Sequence, residues 1–251
     1  SDIGHRALKA RMNRIIAETK NDIPQSEAVF RRFAGENKGA ASLARYMARS
    51  GCHPVYDKTA VRYFPLGEDM FGEMLKQLAA AEHFIFMEYF IVDEGEMWGR
   101  ILEILAQKAA AGVDVRVMYD GSCEFALLPR DYPKRLRALG IRCKVFAPVT
   151  PFVSTHYNYR DHRKILVIDG HTAFNGGINL ADEYINRQPR FGHWKDTAVM
   201  LKGEAVKSFT LMFLQMWRID EKEDEAMHFL SYPAFPPAEA AGYVIPYGDC
   251  P

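Results

Sequence analysis

The sequence predicts an α/β fold, a mixed β-sheet covered by helices on both faces (an α/β/α sandwich) with an N-terminal helical extension. Three observations predict it. Helix-like and strand-like stretches alternate between residues 67 and 146, a hairpin signal follows at Asp169-Gly170, and residues 1–50 carry helical periodicity without a strand.

The elements follow in order. Residues from about Asp2 to Ser50 read as loosely amphipathic helix, and Gly51-Cys52-His53-Pro54-Val55 breaks it. Met70, Phe71, Met74, Leu75 and Leu78 recur at helical spacing over Gly67–Ala81. His83–Val92, dense in β-branched and aromatic residues, reads as a buried strand. Met97–Ala111 is a helix with Ile101, Leu102, Leu105 and Ala109 on one stripe, stopped by Gly112. Val113, Val115, Val117 and Tyr119 alternate with polar residues as a strand ending in Asp120-Gly121-Ser122. A short helix, Pro133–Leu139, closes at Gly140, and Ile141–Phe146 is the next strand. Lys164–Ile168 and His171–Asn175 flank the hairpin turn. Thr197–Leu201 adds a strand, and Glu204–Ile219 a helix with Val206, Phe209, Phe213, Met216 and Trp217 on its apolar face. From Tyr232 onward the prolines, alanines and glycines read as linker.

Composition narrows the classes. Of 251 residues, 32 are Lys or Arg and 32 are Asp or Glu, so the chain lacks the net positive footprint of a general nucleic-acid binder. Cys52, Cys123, Cys143 and Cys250 form no CxxC pair, which argues against a disulfide framework and against a structural zinc site. No apolar run approaches the roughly 20 residues that span a bilayer.

The chemistry concentrates in two stretches, Asn158-Tyr159-Arg160-Asp161-His162-Arg163-Lys164-Ile165-Leu166-Val167-Ile168-Asp169-Gly170 and Asn175-Gly176-Gly177-Ile178-Asn179. His162 and Lys164, two apart at the start of a strand, fall on one face by the period of two. An imidazole beside an ammonium on an apolar strand is costly unless both reach a common anion, and a phosphate fits. Lys164 neutralises it, His162 attacks phosphorus through one ring nitrogen, and Asn179 offers an amide donor. Gly176 and Gly177 let the backbone approach closely. Taken singly, Asp169-Gly170 is an ordinary hairpin turn and Gly-Gly a weak signal. The ordered set is specific.

That set resembles the phospholipase D superfamily, whose signature is His-x-Lys-x4-Asp followed by Gly-Gly-x-Asn, and the phrases around it resemble bacterial cardiolipin synthases. Phe86-Met87-Glu88-Tyr89-Phe90 and Gly176-Gly177-Ile178-Asn179-Leu180-x-Asp182-Glu183-Tyr184 extend the likeness, which runs from about Tyr56 to Asp249. The resemblance implies a phospholipase D-like half-domain over residues 51–231, after the extension at 1–50 and before a linker at 232–251. His162 is then the nucleophile that becomes phosphohistidine, or its acid–base counterpart. Lys164, Asn179 and Gly177 bind the phosphoryl group. Asp169 mainly ties down its turn, and Asp196 orients the histidine. Glu88, mid-strand in an apolar run, has two readings, a group facing the substrate or a buried salt bridge. Asp120 is a weaker candidate. His156, His171 and His193 read as surface or loop histidines, while Phe152, Tyr157 and Phe191 belong either to a lipid-facing mouth or to the core.

The family chemistry needs two facing half-sites and neither metal nor cofactor. This chain holds one motif. It opens on Ser1 rather than Met, and its last residues resemble the start of a second repeat. The expected partners are therefore phosphatidylglycerol as substrate and a second catalytic repeat in a longer, membrane-bound parent, or a homodimer partner in its absence, with no nucleic acid. The expected reaction is phosphatidyl transfer between two phosphatidylglycerol molecules. The rivals are hydrolysis by a phospholipase D, a dimeric single-motif phosphodiesterase or nuclease, and a lipid-binding scaffold.

Overall fold

A computed structural model describes residues 2–51, 53–148, 160–190 and 192–248. Three helices come first, α1 (Asp2–Glu18), α2 (Glu27–Glu36) and α3 (Lys38–Gly51). Then follow β1 (Thr59–Phe64), α4 (Gly67–Ala79), β2 (Phe84–Tyr89), α5 (Glu96–Ala110) and β3 (Asp114–Asp120). After two short helices, α6 (Cys123–Ala126) and α7 (Tyr132–Ala138), come β4 (Arg142–Phe146), β5 (Lys164–Ile168), β6 (Thr172–Gly176), β7 (Ala198–Gly203), α8 (Val206–Trp217) and α9 (Ala226–Leu230).

The seven strands form one mixed sheet in the order β1-β7-β6-β5-β2-β3-β4. β2, β3 and β4 run parallel, joined by helical crossovers, and the remaining neighbours pair antiparallel. β2 and β5 are buried along their whole length, as central strands under helices on both faces must be. One face packs Ile85, Met87, Leu166 and Ile168 under α4 and α5, through Met74, Leu78, Ile101 and Leu105. The other packs Phe84, Phe86, Ile165 and Val167 under α8 and α9, through Phe213, Trp217 and Phe229. This is the expected α/β/α sandwich.

Three features depart from the expectation. β1 is an edge strand whose middle residues, Val61, Arg62 and Tyr63, are exposed, so no apolar alternation marks it in the sequence. α1 is part of the α8 layer: Met12 is 1% exposed, and Gln215 Nε2 donates to Thr19 Oγ1 at 2.9 Å. Fully burying a Met side chain contributes about 2 kcal/mol, enough to recruit a loosely amphipathic helix. In the stretch read as linker, Val244 pairs antiparallel with Tyr56, and Tyr243 packs edge-on against Phe33 of α2 with ring centroids 5.1 Å apart. The 243–244 segment thus closes on α2 and on the stretch before β1.

Candidate active site

The site lies where β2 ends and β5 begins. Lys164, the first residue of β5, pairs with Tyr89, the last of β2, so the Lys164 side chain shares the α4–α5 face with Tyr89, Leu166 and Ile168. Its ammonium donates to the His162 carbonyl at 2.6 Å and stands 5.4 Å from the centroid of the Phe90 ring. The His162 imidazole packs on the same ring, centroids 4.0 Å apart, and remains exposed to solvent. Phe90 therefore gathers both groups. Burial pushes the Lys164 pKa down, against the pull of the Asp161 and Asp196 carboxylates. A buried ammonium near an exposed imidazole is an arrangement that an anion would complete.

Asp196 arrives from the segment before β7. Its Oδ1 accepts the Thr197 N–H at 2.8 Å, and the Gly177 N–H donates to the Thr197 carbonyl at 3.0 Å. A Cβ on Gly177 would lie 2.1 Å from Asp196 Oδ1, so only glycine admits the carboxylate there. Asn179 is buried. Its Oδ1 accepts the Ile91 N–H at 3.0 Å, and its Nδ2 donates to the Tyr184 hydroxyl at 2.9 Å, leaving the second amide hydrogen for another acceptor. Asp182, in the same phrase, caps α5 by accepting the N–H groups of Glu96 (2.9 Å) and Met97 (2.8 Å).

Two expected site residues lie elsewhere. Asp169 sits at the opposite end of β5 from Lys164, in a turn where it and Gly170 both have positive φ, 52° and 73°. Its carboxylate accepts the backbone N–H groups of Glu82, His83 and Phe84, each at 2.8 Å, and so pins the hairpin to the start of β2. Asp169→Ala leaves three N–H groups without that acceptor, the innermost of them buried. The expected loss is about 4 kcal/mol of stability, seen as a fall of about 12 °C in melting temperature by calorimetry.

Glu88, placed with the substrate-binding groups in the sequence reading, pairs with Ile165 and points to the α8 face, opposite Lys164. There it is fully buried, 3.7 Å from Arg163 Nη1. Of its two sequence readings, this placement excludes a side chain on the Lys164 face and sets the carboxyl group beside a cation on the reverse face. Asp120 is on the same face, accepting the Asp161 N–H at 3.0 Å and Arg160 Nη1 at 3.3 Å.

His53 is buried, and burial, followed by the nearby Arg163 charge, lowers its pKa from 6.5 to about 4. The unfolded chain binds a proton there between pH 6.5 and 4 that the native state does not. Stability therefore falls as pH drops through that window, by at most about 3 kcal/mol, and levels off below it. In His53→Gln, denaturant melts between pH 7 and 4 should show a correspondingly flatter profile.

His171 lies in the β5–β6 turn and His193 in the loop before β7, as read from sequence. His156, Phe152, Tyr157 and Phe191 fall outside the described residues. The sequence reading missed Phe90 and Tyr184 as site groups, although both stand in the quoted phrases. Their only signal is adjacency, Phe90 directly after the buried strand and Tyr184 five residues beyond Asn179.

Comparison with known proteins follows the same residues. A family described as "Cardiolipin synthase, PLD-like domain" matches residues 74–217. A protein of Streptococcus mutans described as uncharacterized is 56% identical over 250 residues, covering 100% of this chain and 54% of that protein. A cardiolipin synthase of Geobacillus kaustophilus is 41% identical over 176 residues, covering 70% of this chain and 35% of that protein. The chain thus spans between a third and about half of the length of these relatives. Among solved structures, NucT from Helicobacter pylori superposes with a TM-score of 0.50 at 12% identity, covering 64% of this chain and 96% of that one, a likeness of fold.

Proposed function

The chain belongs to the family of cardiolipin synthase phospholipase D-like domains, and from that premise we propose that it supplies one of two half-sites for phosphatidyl transfer between two phosphatidylglycerol molecules. The observation that carries this reading is the exposed His162 imidazole and the buried Lys164 ammonium meeting at one Phe90 ring.

In the first step a histidine ring nitrogen attacks the phosphodiester phosphorus, and the bond from phosphorus to the headgroup oxygen breaks. The histidine of the other half-site gives that oxygen its proton, and glycerol leaves. In the second step the headgroup hydroxyl of another phosphatidylglycerol attacks the phosphohistidine. Its proton goes to the same acid–base histidine, the phosphorus–nitrogen bond breaks, and cardiolipin is released. His162 takes one of these two roles. Lys164 and the free Asn179 hydrogen hold the phosphoryl oxygens as charge grows on them, and Asp196 orients the imidazole.

The second half-site comes from a further repeat in a longer parent polypeptide, or from a second copy of this chain. Residues 51–231 form the catalytic half-domain in this reading. The parent acts at the membrane that holds its substrate. Among the described residues no helix is long and apolar enough to cross a membrane.

The test is product analysis with phosphatidylglycerol vesicles, using the parent polypeptide and the isolated chain in parallel. The reading expects cardiolipin and glycerol in equal amounts from the parent. Phosphatidic acid in place of cardiolipin would make the enzyme a hydrolase, and cleavage of nucleic acid without lipid turnover would overturn the lipid assignment.

A further inference from the structure

Directly behind the site, on the α8 face, the segment that carries His162 is clamped by acidic groups. Asp161 and Arg163 flank His162 and turn inward. The Asp161 N–H donates to Asp120 Oδ2 at 3.0 Å, and the Arg163 N–H donates to Asp161 Oδ1 at 3.1 Å. Arg160 Nη1 reaches Asp120 Oδ1 at 3.3 Å and the Ala147 carbonyl at 3.2 Å. The N–H groups on either side of His162, those of Asp161 and Arg163, are thus tied to carboxylates on the reverse face.

The charge count within this cluster points further. Asp161 is 1% exposed and Glu88 fully buried. Neither Glu88 oxygen accepts a hydrogen bond from any N–H group, and neither does Asp161 Oδ2. Both carboxyl groups meet Arg163, whose Nη1 is 3.7 Å from Glu88 Oε1 and whose N–H is 3.1 Å from Asp161 Oδ1, and the two act directly on each other. Two ionised carboxylates in contact inside a protein repel strongly, whereas one shared proton satisfies both. Burial first, and then the Asp161 charge, push the Glu88 pKa well up, with Arg163 opposing. Asp161 Oδ1 is already engaged by the Arg163 N–H, which leaves Oδ2 to receive the proton. Arg163, Asp120 and Lys164 are the other charged groups around the pair, with Arg160 on Asp120 and His53 next to Arg163.

We propose that Glu88 is protonated in the native protein and donates to Asp161, and that this acid pair is a positioning device that holds His162 facing outward from behind. Neither residue touches substrate. Their part is to fix the 161–163 backbone so that the imidazole rests on Phe90 beside Lys164.

The inference takes its catalytic meaning from the proposed transferase reading, but its test needs no lipid, so the two fail separately. In the purified chain at pH 7, infrared difference spectroscopy between wild type and Glu88→Gln should show a protonated carboxyl stretch that only the wild type has. In proton NMR, the His162 ring resonances should carry a shift from the stacked Phe90 ring. Glu88→Gln, whose amide N–H can donate in place of the acid, should retain that shift, while Asp161→Ala should lose it. Should Asp161→Ala fail to fold, Glu88→Leu carries the same expectation of a lost shift, since it fills the space without a donor. An unchanged carboxyl region in Glu88→Gln would overturn the proposal. So would a His162 resonance that moves as far in Glu88→Gln as in the other variants, or that moves in none of them.

Discussion

His162→Ala is expected to lower phosphatidyl transfer by the parent polypeptide to below about a ten-thousandth of the wild-type rate. A residue that makes or protonates the bond to phosphorus leaves only binding and charge stabilisation behind when it is removed. The side chain is exposed and its tertiary contact is with Phe90, so the fold should be indifferent to the change. Melting temperature within a few degrees of wild type, together with lost turnover of phosphatidylglycerol vesicles, is the combined signature. Because the loss is in kcat, vesicle binding measured by sedimentation should persist.

Lys164→Met is expected to cost about a thousandfold in kcat, by removing a fixed positive charge where negative charge develops. Methionine keeps the length and the apolar stem of the lysine and fits a position flanked by Tyr89 and Leu166. The ammonium is already buried, at a cost to its charged form, so its loss weakens the hold on the phosphoryl group more than it disturbs packing. The bond to the His162 carbonyl goes with it, and some of the effect passes through His162. A Lys164→Arg protein should recover little, since a planar fork replaces a point charge in a space set by Phe90. Steady-state rates at saturating phosphatidylglycerol would show both results.

Much of this site was legible because its residues come from two short stretches whose spacing has a structural meaning. The two-residue step from His162 to Lys164 and the turn at Asp169-Gly170 fix register, and alternation then assigns Lys164 to a face. The same alternation fails for Glu88. β2 is buried on both sides, so nothing in Phe86-Met87-Glu88-Tyr89-Phe90 distinguishes one face from the other. Only pairing with Ile165 sends Glu88 to the α8 side. Asp169 and Asp182 hold backbone groups 85 or more residues away in the chain, and such contacts leave no local pattern. β1 escaped because an edge strand with exposed Val61 and Tyr63 lacks the apolar rhythm of a core strand. The docking of α1 on α8 and of Tyr243 on Phe33 was not legible either, since contacts between distant segments do not depend on periodicity.

The most direct test that one phosphoryl group is held between His162, Lys164 and Asn179 is the position of tungstate, a heavy phosphate analogue, in crystals of the chain. The expected result is tungsten within hydrogen-bond reach of Lys164 Nζ and one His162 ring nitrogen, its oxygens also meeting Asn179 Nδ2, and no such peak in Lys164→Met. Tungstate bound elsewhere on the chain with this position empty, or a peak here that survives Lys164→Met, would contradict it.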